Sequence, residues 1–62
     1  MDFTTAMNLA LNGGKVTRSA WSVNSAYVIY ANNDLIWGSI DHPQQHYTPM
    51  CDDIFAADWS AA

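Results

Sequence analysis

Apolar residues recur at helical spacing near the start of the chain, where Phe3, Met7, Ala10 and Leu11 fall on one face of a helix running from Phe3 to Leu11. Asp2 or Thr4 is available as its N-cap. Asn12-Gly13-Gly14 ends it, because glycine is the usual residue just past a helix end, where the backbone turns left-handed. The period then shortens to two. Lys15-Val16-Thr17-Arg18 alternates in polarity and predicts a strand; Tyr27-Val28-Ile29-Tyr30, rich in β-branched and aromatic residues, predicts a second. Between them lies a loop, Ser19 to Ala26, that carries Trp21. Asn32-Asn33-Asp34 suits a turn with positive φ and joins the second strand to Leu35 to Ile40 as a hairpin. The polar stretch Asp41 to Gln45 contains Pro43 and predicts a loop, followed by a fourth strand, His46-Tyr47-Thr48, that Pro49 stops. From Asp52 a second helical turn, Ile54 to Ala57, leads to Asp58-Trp59. The fold class is therefore α+β: one short helix packed on a small antiparallel meander, with a helical turn near the C-terminus, in a single domain over residues 1–62.

Length changes this picture by making a lone core marginal, since a chain of this size buries only about 60% of the surface its unfolded form exposes. Cys51 is the single cysteine, so an intrachain disulfide is excluded and the missing stability must come from a metal or from self-association. No apolar run approaches the roughly 18 residues of a membrane span. The single thiol and the lack of a basic-then-apolar leader predict a reducing, cytosolic setting. Lys15 and Arg18 are the only fixed positive charges against six acidic residues, and the net charge of -4 repels a nucleic-acid backbone.

For catalysis the inventory is thin. His42 and His46 sit in a polar stretch with no nucleophile in an activating context, and the two carboxylates after Cys51 disfavour a thiolate. Metal binding has His42, His46, Cys51 and Asp53 within a short stretch, but their spacing matches no specific signature, so no metal site or cofactor is assigned. More informative is the set around "KVTRSAW", "AYVIY" and "DDIFAADW". Arg18 and Trp21 flank a loop of small residues, which is the chemistry a nucleotide-like ligand needs: a π-face for the base and a guanidinium fork for phosphate. The alternative pairs Arg18 with Asp53 or Asp58 and buries Trp21, and composition does not choose between them.

The elements F-x-x-A-M on the first helix, G-G-K-V-T-R-S-A-W after it and P-M-C-D-D-I-F-A-A-D-W at the end are carried by Phe3, Arg18, Trp21, Asp53, Ala56, Asp58 and Trp59 among others. With these motifs over nearly its whole length, the chain resembles the small phage-encoded Thoeris anti-defence sponge family of the second type. The resemblance implies a protein that is not an enzyme: a homo-oligomer, typically a dimer of dimers, acting in the cytoplasm of an infected bacterium. It implies a ligand, a cyclic ADP-ribose isomer made by Toll/interleukin-1 receptor-domain enzymes, which the protein withholds from the immune effector; some relatives also bind cyclic dinucleotides. The middle of this chain, Asp41 to Gln45, is shorter than in longer members.

The ligand set expected from residues and resemblance together is Arg18, Trp21, Ser22, Asn24, Tyr27, Trp37 and Asp53, in a pocket at a subunit interface. Trp21 stacks on adenine, while Arg18, backbone amides and Ser22 or Asn24 hold phosphate and ribose. Trp59 is expected to be architectural, packed with Phe3 and Phe55 against the sheet, with Asp58 holding the terminus to a backbone donor and a second subunit covering the remainder. The rival reading is a small structural or protein-interaction module with no metabolite ligand, in which every aromatic belongs to core or interface.

Overall fold

The computed structural model describes all residues 1–62. Helix α1 spans Phe3–Leu11, and Asp2 caps it by accepting the Thr5 N–H at 2.9 Å. Its buried face is Ala6, Met7 and Ala10, with Phe3 half-buried beside them; Leu11, expected on that face, is exposed and Ala6 takes its place. The Gly13 N–H bonds to the Ala10 carbonyl and the Gly14 N–H to the Leu9 carbonyl, with Gly13 at φ +97°, so the helix ends in a Schellman motif.

Five strands follow in one antiparallel sheet: β1 Val16–Arg18, β2 Tyr27–Ala31, β3 Asp34–Gly38, β4 Gln45–His46 and β5 Trp59–Ala61, in the spatial order β4-β3-β2-β1-β5. The hairpin between β2 and β3 closes with Ala31 opposite Asp34, leaving Asn32 and Asn33 as a two-residue loop at φ 54° and 63°. Both φ values are positive, as a type I′ turn requires, and asparagine tolerates this region better than most residues. β3 ends at Gly38, short of the expected Ile40, where a Cβ would lie 2.6 Å from the Tyr27 hydroxyl: the Tyr27 side chain crosses the neighbouring strand, and only glycine fits beneath it. β4 sits one residue earlier than expected and is shorter, although the Tyr47 N–H still reaches the Leu35 carbonyl at 2.9 Å.

The C-terminal end departs most from expectation. Helix α2 covers Cys51–Phe55 instead of Ile54 to Ala57, because the Asp53 carboxylate accepts the Met50 N–H at 3.2 Å and starts the helix there. Ala56 is already extended, which frees the chain to turn back as β5 and pair Arg18 with Trp59, Thr17 with Ser60 and Val16 with Ala61. Trp59 is thus the first residue of an edge strand, and its position near the end of the sequence is explained by that pairing.

Register puts Val16, Val28, Trp37 and Trp59 on one face of the sheet, where α1 and α2 pack. The core is Ala6, Met7, Ala10, Val16, Val28, Tyr47 and Trp59. Trp59 meets Phe3 edge-on at 5.9 Å, as expected; Phe55 does not join them and is 84% exposed, because α2 turns it outward. The other face carries Thr17, Tyr27, Ile29 and Ile36 and no helix. No helix is long and apolar enough to cross a membrane.

Trp59 is 2% exposed, and truncating a buried aromatic of this kind costs about 3 to 5 kcal/mol. A Trp59→Ala variant is expected to lose at least about 15 °C of melting temperature by circular dichroism. A midpoint within a few degrees of the unmodified protein would show that the β5 contacts contribute little.

Candidate functional site

Arg18 leaves the end of β1 between two acids. Its Nε donates to Asp58 Oδ1 at 2.8 Å and its Nη1 to Asp53 Oδ1 at 2.9 Å, and its side chain is only 14% exposed. Hydrogen bonding to Asp58, opposed by partial burial, raises the guanidinium pKa further, so the charge is permanent. Asp58 also accepts from the Ser19 hydroxyl at 2.8 Å and the Ala20 N–H at 3.3 Å, which is the expected tie to a backbone donor. These bonds, that from Arg18 first, hold its carboxyl down at about 2. Asp53 is 6% exposed; its second oxygen accepts from the Tyr47 hydroxyl at 2.9 Å and its carbonyl from Trp59 Nε1 at 3.0 Å. Burial, reinforced by the Asp53 carboxylate, pushes the Tyr47 phenol up.

The seven expected ligand residues fall into three groups. Trp21, Trp37 and Asp53 line a groove of about 410 Å³ on the helix side of the sheet, together with Gln45, His46 and Thr48. Trp21, at the end of a 3-10 turn Ser19–Trp21 inside the expected loop, is half-buried against Trp59 at 5.1 Å and Tyr47 at 6.4 Å and forms one wall. Arg18, Ser22 and Tyr27 line a second cavity of about 460 Å³ that shares no residue with the first. Asn24 lines neither: its side-chain oxygen accepts the Ala26 N–H at 3.3 Å and its carbonyl accepts the Ile40 N–H, so it shapes the loop.

Lys15 was absent from the expected set and lines the second cavity, with its Nζ 4.7 Å from the centre of the Tyr27 ring. The signal was present in the alternation of β1, which puts Lys15 and Thr17 on the face opposite Val16. The weighed metal set is dispersed among other partners: His46 meets Asp34 at 2.8 Å, His42 meets Asp41 at 3.2 Å, Asp53 meets Arg18, and Cys51 is exposed on α2. No cluster of three or more such groups forms, and none has the geometry to hold an ion.

The ion-pair network sets a pH dependence. Asp58 is held down in the folded chain, so its contribution is complete above its ordinary value of 3.8 and is lost as the pH falls through about 2. Tyr47 is held up, so its contribution is complete below its ordinary value of 10.0 and is lost as the pH rises beyond it. Melting temperature should therefore fall between about pH 4 and pH 2, and Asp58→Asn should flatten that fall while lowering stability at neutral pH. An unchanged acid slope in the variant would place the acid sensitivity elsewhere.

Among curated proteins nothing matches the chain. A family model does: the Tad2-like model, described as the Thoeris anti-defense 2-like domain, matches residues 1–62. Its helix-on-sheet fold and its R-x-x-W and D-x-x-A-x-D-W elements, now seen as two sides of one ion-pair network, run the length of that match. The chain belongs to the Tad2-like family of Thoeris anti-defence domains, sponge-type proteins that are in general non-catalytic.

Proposed function

We propose that the protein is a sponge that binds a cyclic nucleotide signal of the Thoeris system and sequesters it without turnover, in the cytoplasm of the infected bacterium. A cyclic ADP-ribose isomer is the first ligand to test, and cyclic dinucleotides are the second. The observation that carries this reading is the family match over the full chain, and the chemistry of the two cavities supports it. In the groove, Trp21 and Trp37 offer aromatic surface for a base, and Gln45, His46 and Thr48 offer polar groups for base edges or ribose hydroxyls. The second cavity offers the Lys15 ammonium and serine hydroxyls for phosphate.

Because Trp21 and Trp37 line one cavity and Lys15 lines the other, two copies facing each other complete a ligand site better than one. The homo-oligomer has further support in the exposed Val23, Ile40 and Phe55, each more than three-quarters exposed, and in a core of only seven buried residues. The same exposed residues, with Met50 at the start of α2 and Ile54 within it, favour the rival reading, a protein-interaction module whose partner covers them and which binds no metabolite.

Titration calorimetry with a cyclic ADP-ribose isomer separates the two. The sponge reading expects saturable binding, weakened about ten- to hundredfold in Trp37→Ala and in Trp21→Ala, the range for loss of one base–aromatic stack. Trp21→Ala also removes a contact with Trp59, so its melting curve must accompany its affinity. Mass spectrometry should recover the ligand unaltered after heat denaturation of the protein. An oligomer that binds no cyclic nucleotide would favour the interaction module, and a linear product above the no-protein control would make the chain an enzyme.

A further inference from the structure

We infer that Lys15, and not Arg18, supplies the positive charge that meets a phosphoryl group of the ligand, in the hydroxyl-lined cavity on the helix-free side of the sheet. The inference rests on the sponge reading for the identity of the ligand and on the charge distribution for the residue. The chain has only these two fixed cations. Arg18 is held by two carboxylates, so the group it forms with Asp53 and Asp58 carries net negative charge. Turning it toward a phosphate would strip the buried Asp53 of its counter-charge, and an uncompensated buried acid is strongly destabilising.

Lys15 is differently placed. Its side chain is exposed and makes no ion pair, and its ammonium rests over the Tyr27 ring, a contact that a stronger anionic partner can replace. The Tyr27 ring is fixed as a wall of the cavity: its hydroxyl accepts from Gln44 Nε2 at 3.0 Å and lies over Gly38. Around it the hydroxyls of Ser22, Ser25 and Ser60 line the same cavity and have no side-chain hydrogen bond within the chain. An ammonium with three uncommitted hydroxyls in a space of about 460 Å³ suits the several acceptor oxygens of a phosphate or diphosphate. Thr17 and Ser19, which line the cavity too, are already committed to the Ala26 carbonyl and to Asp58.

The test titrates the full chain, as wild type, Lys15→Gln and Lys15→Arg, with a cyclic ADP-ribose isomer and separately with inorganic pyrophosphate, each at low and high salt. Lys15→Gln should weaken both ligands at least about tenfold and flatten the salt dependence, while Lys15→Arg stays close to wild type. The melting temperature should hold in both variants, because Lys15 is exposed. Equal affinity and equal salt dependence in Lys15→Gln would overturn the inference and leave the sponge reading standing. Pyrophosphate binding that needs Lys15, with no binding of the cyclic nucleotide, would uphold the phosphate site and remove the sponge reading. If wild type binds neither ligand, both fall.

Discussion

The structure depends on one buried carboxylate. Asp53 sits in an apolar setting, where an isolated charge is highly unfavourable, and its oxygens are met by the Arg18 guanidinium, the Tyr47 hydroxyl and the Met50 N–H. Its main chain adds a fourth link by accepting the Trp59 indole N–H. Through these bonds one residue of a five-residue helix connects β1, the segment leaving β4, and β5. A hydrophobic replacement of similar shape could be as stable, since burying an ion pair is seldom a net gain. What the network supplies is a single arrangement: a chain with few buried residues has its C-terminal strand placed by directional bonds as well as by area.

That arrangement decides the electrostatics of the surface. The acids of the C-terminal motif neutralise the arginine of the R-x-x-W motif, the pairing with Asp53 or Asp58 that composition left open beside a ligand role for Arg18. Arg18 is fixed, Trp21 leans on Trp59, and both serve to hold β5 on β1. The uncommitted chemistry lies to either side: an aromatic groove on the helix face and a cavity with Lys15 and free hydroxyls toward the other face. In the proposed sponge, a ligand with a base and a diphosphate draws on both, which is the physical reason that proposal sets its site between copies of the chain.

Local signals told the fold well where they were strong. Asp2 with the periodicity behind it, Gly13-Gly14 and Asn32-Asn33 each determine the backbone through their own chemistry, and helix, helix end and hairpin followed the sequence. The C-terminal strand left no such signal: Trp59-Ser60-Ala61 has little β-propensity beyond its first residue, and it is a strand because β1 offers it an edge. Phe55 was misplaced for a related reason, since the helix register is set by Asp53 capping Met50, a bond whose strength comes from burial. At the site, Trp21 and Trp37 line one groove, while Arg18, over the Trp21 ring, is committed to both acids, and that commitment is visible only in three dimensions.

The central claim is that Arg18 and Asp53 act as one unit in holding the fold, and a double-mutant cycle measured by urea unfolding addresses it directly. Arg18→Met and Asp53→Asn should each destabilise the protein, and the double variant should lose less than the sum, with a coupling of about 0.5 to 3 kcal/mol. Losses that add within about 0.3 kcal/mol would mean the two residues act independently, and the network would not be what fixes the C-terminal strand.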